Sequence, residues 1–529
     1  MAEERRQREN KNKRNTGLET GLAATLILLA FRIPLARLLG DEGNGYLAIS
    51  WEIYSIFYLV FGYGYAKAIG QLVEIRMNKG LYRNSIEAMK TVFTVGFFSS
   101  LVGAALIFLL AGSLGRTIFQ TNMVEISLKL FAPLMVLNCL VGIYRGYFEG
   151  MGTEVPTRIS RLVEAIITAT GAFIFVLIAG NYGAKVGALL HNENFKPGFM
   201  AAGMVGGYLC GSALAGLFLI LVYVLYKKAY NRLLKKDMTR VLESKSSLLQ
   251  NTFFSLPLII LEVLGIKLYR LFNLAIYGHN QLKGEAHTSA IKAIGSFYGK
   301  ISVLMAIAIV LILFLIEEKK KKKKSYSSYE FKGGKQVLAD QLEKLFSLTL
   351  PVLASFMILS QVLLKALYQS ASQRDCLMLG IGGASVLFIS LGVWSSRMML
   401  NLQLKKQMIL LQLAALSLEI PIVMLLNKTE IFAKLPLAEL SLGIGELVFW
   451  IIFSLGQLIS ILKQYHMRIP WGRMILVPII QTFVMAIIEL VIVQLLKNTL
   501  PAWGVCILAI IMGSVFHQLT KKVPLLNME

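Results

Sequence analysis

The sequence predicts an all-α polytopic membrane protein of about fourteen transmembrane helices. They form two pseudo-symmetric six-helix lobes plus two C-terminal helices, with the N- and C-termini cytoplasmic. Three observations carry this expectation. Of 529 residues, 56% are hydrophobic and only 16% are charged, against about 25% charged in an ordinary soluble domain. So little polar surface cannot cover a soluble core, and lipid must be the solvent for most of the chain. Windows of mostly apolar residues long enough to span a bilayer, about 20 residues each, recur along the whole sequence. Finally, the basic residues fall on one side when those windows are alternated across a membrane.

Fourteen windows meet the length criterion: 18–39, 46–70, 90–112, 126–148, 160–180, 202–226, 252–277, 293–316, 346–367, 376–397, 407–426, 437–462, 474–496 and 501–519. With the N-terminus in the cytoplasm, the inside segments collect 36 of the 54 Lys and Arg, and the outside loops collect nine. Positive charge resists translocation, so this asymmetry fixes both termini inside. One span too many or too few would scramble it. The net charge of +24 is thereby assigned to topology, with no nucleic acid as partner.

The parts follow from these spans. Residues 1–17 form a basic cytoplasmic tail. An N-lobe covers 18–226 (spans one to six), and a basic cytoplasmic linker read as a surface helix covers 227–250. A C-lobe covers 251–462 (spans seven to twelve) and holds a lysine-rich cytoplasmic loop, 317–345. Residues 463–529 hold spans thirteen and fourteen and a short tail. Six spans precede the linker; because six is even, a second set starts on the same side, as in a parallel repeat. The linker and the lysine-rich loop are expected to rest on anionic lipid headgroups.

Charges inside spans are costly, about 2.5–3.5 kcal/mol each at mid-bilayer. Fifteen such residues cannot all face lipid. Spans one, two, seven and eight hold Arg32, Arg37, Lys67, Lys267, Arg270 and Lys300. On span seven, a step of 100° per residue puts Glu262, Lys267 and Arg270 within one ~140° arc. The expectation is a cationic cavity between two helical lobes, lined by Arg32, Lys67, Lys267, Arg270 and Lys300, with Glu52 and Glu262 as ion-pair candidates. Such a cavity suits a phosphate or pyrophosphate, since arginine presents a planar fork and lysine a point charge. Arg37, Lys129 and Lys365 are read as snorkelling to the interface. The tyrosines of span two are read chiefly as belt and packing residues.

No P-loop, HExxH or clustered Cys/His site is present. The four cysteines lie in apolar segments and read as small buried hydrophobes. No metal and no cofactor is expected. A polytopic glycosyl- or phosphotransferase would need a sizeable loop with paired carboxylates or metal ligands. None is found, so the chain is not read as an enzyme.

The polar stretch Tyr144–Ala165 (YRGYFEGMGTEVPTRISRLVEA) joins spans four and five at the cytoplasmic face. Gly150 and Gly152 are expected to let the chain turn, with Pro156 near the next helix start. Arg145 and Glu164 lie inside the helix ends, where they can pair across the turn. With Glu149 these residues read as a cytoplasmic hinge or gate.

Three stretches, RIPLARLLGDEGNGYLAI (32–49), YSIFYLVFGYGYAKAIGQLVEIRMNKG (54–80) and the 144–165 stretch, resemble the multidrug/oligosaccharidyl-lipid/polysaccharide (MOP) flippase superfamily. The branch is that of bacterial polysaccharide transporters, which includes stage V sporulation protein B-like proteins and lipid II flippases. The resemblance implies two lobes alternating between inside-open and outside-open. It implies a first-helix arginine at Arg32, lobe-facing basic residues at Arg270 and Lys300, and a polyprenyl-tail groove at spans thirteen and fourteen. The expected function is a flippase that exports a polyprenyl-(pyro)phosphate-linked saccharide across the bacterial plasma membrane. It would act as a monomer, beside cell-wall or polysaccharide synthesis enzymes. The alternative is a multidrug/cation antiporter of the same superfamily, which the net basic character of the cavity opposes.

Overall fold

The computed structural model describes residues 2–235, 237–239, 241–281, 287–320, 331–428, 437–466 and 472–520, and nearly all of them are helical. Within this set no strand occurs. Among the described residues, thirteen helices are long and apolar enough to cross a membrane. The first of them contains two of the expected spans. Helix α1 (Ala2–Tyr58) is broken at Gly40, where φ is 68° and ψ 176°. A side chain is strained at such a φ, so glycine permits the break. That break, between expected spans 18–39 and 46–70, reconciles thirteen helices with fourteen windows. Helices of the predicted type run on beyond the bilayer: α3 (Tyr82–Phe119) has 38 residues, about 57 Å against a hydrocarbon core of about 30 Å.

The chain divides into two compact units, Met1–Leu271 and Phe272–Glu529. The first contains α1, α2 (Gly64–Asn78), α3, α4 (Met123–Gly150), α5 (Val155–Leu189), α6 (Phe195–Leu234) and most of α7 (Lys245–Gln281). Glycine stripes set its helix packing. Gly142, Gly146 and Gly150 lie four apart on α4, facing α2. A methyl group on Gly146 would sit 2.1 Å from the Ala66 carbonyl oxygen, and one on Gly150 2.6 Å from that of Gly70. On α6, Gly203 and Gly207 leave the same room for α5, at 2.5 Å from the Phe175 carbonyl oxygen and 2.6 Å from the Ala172 backbone. Lipid tails are as apolar as leucine, so close backbone approach and van der Waals contact drive such pairing. Gly150 is thus still helical and serves contact. The turn to α5 is made by Gly152, at φ 75°, with Pro156 in the first turn of α5.

The second unit contains α8 (His287–Ser296), α9 (Ser302–Lys320), α10 (Phe331–Ile358), α11 (Ser360–Tyr368), α12 (Gln373–Asn401), α13 (Lys405–Lys428), α14 (Leu437–Tyr465), α15 (Val477–Leu496) and α16 (Ala502–Thr520). A wide π-helical turn, Phe297–Ile301, joins α8 to α9, so the two make one span. Buried polar pairs lock this unit. Trp394 Nε1 donates to Gln341 Oε1 at 3.0 Å, Ser395 Oγ to Gln457 Oε1 at 2.8 Å, and Ser355 Oγ to Glu489 Oε1 at 2.8 Å. The last ties α10 to α15. Of the lysine-rich loop 317–345, residues 321–330 lie outside the described set, while its ends extend α9 and α10.

The basic linker departs from the expected surface helix over 227–250. Helix α6 continues to Leu234, and the described residues from Lys235 to Ser244 carry no helix. They dock instead on the α2–α3 turn. The α3 N-terminus has no local side-chain cap, so its first amides need an acceptor. Asp237 Oδ1 supplies it, accepting from Tyr82 N at 2.9 Å and Arg83 N at 3.3 Å. Arg76, buried at the end of α2, pairs with Glu243, and Glu243 N donates to Asn84 Oδ1 at 3.1 Å. These contacts outbid helix continuation.

Burial alone would raise the Asp237 carboxyl, but hydrogen bonds from the Thr239 hydroxyl and the Arg83, Tyr82 and Thr239 amides hold it below its ordinary value. A depressed carboxylate stabilises the docked segment above the ordinary pKa of about 4 and loses that effect as pH falls through the lowered value. Accordingly, Asp237→Ala is expected to speed tryptic cleavage between Lys235 and Lys245 severalfold at pH 8, read by mass spectrometry. In the wild type, exchange protection of the Tyr82 and Arg83 amides should persist at pH 5 and fall only in stronger acid.

Candidate functional site

The break at Gly40 positions the first candidate. Breaking a helix frees carbonyls that membrane water cannot satisfy. Buried Asn44 takes up two of them, its Nδ2 donating to Ala36 O at 2.9 Å and Gly40 O at 2.7 Å. That orientation leaves Asn44 Oδ1 to accept from Arg32 Nη2 at 3.0 Å. The guanidinium is held by one nitrogen. Its Nη1 is buried with no hydrogen-bond partner among the described residues.

The polar arc of α7 meets the second part of α1 and α2. Glu262, 5% exposed, forms an ion pair with Lys67. Arg270 Nη1 lies 3.8 Å from Oε1 of Glu52, which is 2% exposed. Half-buried Lys267 lies within electrostatic reach of both Glu52 and Arg270. Thus Arg32, Lys67, Lys267 and Arg270 share the first unit with Glu52 and Glu262, four cations to two carboxylates. The two pairs offset part of the cost of burying their charges, and the excess among these six residues is positive.

Lys300 belongs to the other unit. It lies inside the wide turn 297–301 and is 5% exposed. Its Nζ donates to Ser370 Oγ at 3.1 Å and lies 6.0 Å from the Tyr368 ring centroid. Lys129, read from sequence as snorkelling, pairs with Glu125 at 2.7 Å.

At the α4–α5 turn, Arg145 Nη2 meets Glu164 Oε2 at 2.7 Å, and Arg161 Nη2 meets Glu149 Oε1 at 3.2 Å. Arg145 Nε also donates to Ser160 Oγ at 2.9 Å. Ser212 Oγ lies 3.1 Å from Glu164 Oε1 and 2.7 Å from Asn138 Oδ1, while Asn138 Nδ2 donates to Tyr54 Oη at 2.8 Å. A continuous polar chain therefore runs from the turn to Tyr54 in α1. Asn44, Asn138 and Ser212 were not singled out from sequence. The signal is present in the sequence, since an amide inside an apolar window needs a partner just as a charge does.

Two units of long apolar helices, with paired charges buried in membrane-length segments, define a polytopic membrane protein. A family model described as polysaccharide biosynthesis protein matches residues 18–317, and the chain belongs to that family. Stage V sporulation protein B of Bacillus subtilis (strain 168) is 21% identical over 300 residues, covering 55% of this chain and 55% of that protein. Lipid II flippase MurJ of the same organism is 26% identical over 223 residues, covering 39% of this chain and 37% of that protein. The matched stretches thus span about half or less of those relatives' lengths. A solved structure of lipid II flippase MurJ in an inward closed conformation aligns with TM-score 0.57 at 14% identity, covering 94% of this chain and 98% of that one. An inward-facing multidrug resistance MATE family transporter of the MOP superfamily aligns with TM-score 0.57 at 14% identity, covering 83% and 96%. At such identity the likeness is one of fold. The chain is a multi-pass membrane protein by the length and apolar character of its helices, and its fold is that of the solved MurJ and MATE structures.

Proposed function

We propose that this protein is a flippase that moves a polyprenyl-(pyro)phosphate-linked saccharide, a polysaccharide or peptidoglycan precursor, outward across the membrane by alternating access. Both termini lie in the cytoplasm, as the distribution of Lys and Arg argues. The observation that carries the reading is Arg32, whose buried Nη1 lacks a partner in a unit where cations outnumber carboxylates. A guanidinium fork so placed suits a phosphate that arrives with the substrate. Lys67, Lys267 and Arg270 add positive potential, Lys300 serves the second unit, and the Arg145–Glu164 turn acts as a hinge. The antiporter alternative would bind organic cations through available carboxylates. Glu52 and Glu262 are instead engaged with Arg270 and Lys67, which weighs against it.

The test uses purified full-length protein in proteoliposomes. One arm follows outward movement of a fluorescent undecaprenyl-pyrophosphate disaccharide; the other follows ethidium efflux under a proton or sodium gradient. Protein-dependent movement of the lipid without ethidium efflux is expected. Gradient-driven ethidium efflux without lipid movement would overturn the reading in favour of the antiporter. For topology, a Cys-free background carrying Glu193→Cys should label from outside, and one carrying Ser246→Cys should not.

A further inference from the structure

The first unit holds a cluster of aromatic rings drawn from three helices. Trp51 of α1 has its ring centroid 5.5 Å from Tyr208 of α6, 6.0 Å from Phe131 of α4 and 5.8 Å from Tyr54. Tyr54 and Phe131 stack at 4.6 Å with 19° between their planes. Burial within the cluster is graded. Tyr54 and Phe131 are closed off at 2% and 0% exposure, while Trp51 and Tyr208 keep accessible surface. Tyr208 lies within electrostatic reach of the Arg32 guanidinium.

The polar handles of the two outer rings are also informative. A buried or half-buried Trp or Tyr in an apolar setting normally finds a partner for its N–H or O–H. Neither Trp51 Nε1 nor Tyr208 Oη has a hydrogen-bond partner among the described residues. Tyr54, in the back wall, does have one, in Asn138. Packing alone accounts for Tyr54 and Phe131. It does not account for a half-buried indole and phenol with unused donors inside a helix bundle, within electrostatic reach of an arginine whose Nη1 is likewise unused.

These features match one ligand chemistry. A pyranose ring offers rows of weakly positive C–H groups to an aromatic face and hydroxyls to donors at its edge. The negative face of an indole meets the first and Trp51 Nε1 and Tyr208 Oη the second. We propose that Trp51 and Tyr208 form a platform for the saccharide of the substrate, adjoining the Arg32 anchor for its phosphate. This inference rests on the flippase reading above and adds to it the residues that distinguish a sugar-bearing lipid from the bare carrier.

The experiment measures binding of two probes to the full-length protein in nanodiscs: undecaprenyl pyrophosphate, and the same lipid carrying an N-acetylhexosamine disaccharide. The wild type should bind the sugar-bearing lipid about tenfold more tightly, from one or two ring contacts. Trp51→Leu and Tyr208→Leu should erase most of that ratio and leave affinity for the bare lipid unchanged. Trp51→Phe, which keeps a ring and secures against a folding defect, should keep most of the ratio. A wild type that does not favour the sugar-bearing lipid, or a Trp51→Leu variant that keeps the wild-type ratio, overturns the platform. Arg32→Ala separates the two claims. It should weaken both lipids equally, and unchanged affinity for the bare lipid would strike the flippase reading while leaving the sugar ratio to judge the platform.

Discussion

Arg32→Ala is expected to reduce the initial rate of lipid-linked saccharide movement roughly thirtyfold to a hundredfold, the value of one or two charge-assisted hydrogen bonds. The argument starts at Gly40. Its left-handed backbone breaks α1, the break frees the carbonyls of Ala36 and Gly40, and Asn44 takes both. Arg32 is then oriented by Asn44 Oδ1 through Nη2 alone. Removing the guanidinium takes away only this one hydrogen bond, so the variant should fold. Arg32→Lys keeps the charge but loses the fork, and should recover only part of the rate. The check is the proteoliposome assay with thermal unfolding measured in parallel. An Arg32→Ala variant that is folded and moves lipid at the parental rate contradicts the assignment.

Gly146→Leu is expected to have the largest effect on the fold. A Cβ at this position would approach the Ala66 carbonyl oxygen to 2.1 Å and the Ile69 side chain to 2.8 Å. The obstacle at Ala66 is backbone, which cannot rotate away. Helices α2 and α4 must therefore separate, and the contacts at Gly142 and Gly150 go with them. Overpacking typically costs about 1–3 kcal/mol, and a backbone obstacle puts this site at the upper end. Fluorescence-detected chromatography after a heating series should show a clear loss of folded protein. Gly504→Ala is the control, because nothing lies within 3.8 Å of its Cβ position, and it should leave the unfolding curve in place. A Gly146→Leu protein as heat-resistant as the parent would mean that α2 and α4 do not pack on this stripe.

The spans were legible because hydropathy reports the solvent directly. All fourteen windows find helices, and the polar gap between the first two, GDEGNG at 40–45, coincides with the break at Gly40; window 346–367 is interrupted at Leu359, between α10 and α11. The face of α7 was legible too, since 100° per residue puts Glu262, Lys267 and Arg270 together. Their partners were not. Lys67 and Glu262 are 195 residues apart, and no periodicity links positions so distant. The linker shows the opposite failure. Its Lys, Arg and Leu content favours a helix locally, but the uncapped amides of Tyr82 and Arg83 offer Asp237 better partners outside one. Gly150 was assigned to a turn because glycine near a helix end usually serves one; its four-residue spacing from Gly146 and Gly142 was the sign that it serves contact.

The central claim is that the cations of the first unit receive the phosphates of a lipid-linked saccharide. Photocrosslinking tests it most directly, using an undecaprenyl-pyrophosphate disaccharide with a diazirine beside the pyrophosphate. The adducts are predicted to fall on peptides containing Arg32 and Arg270, and to be lost in Arg32→Ala. Adducts confined to other segments, and unchanged by Arg32→Ala, would contradict it.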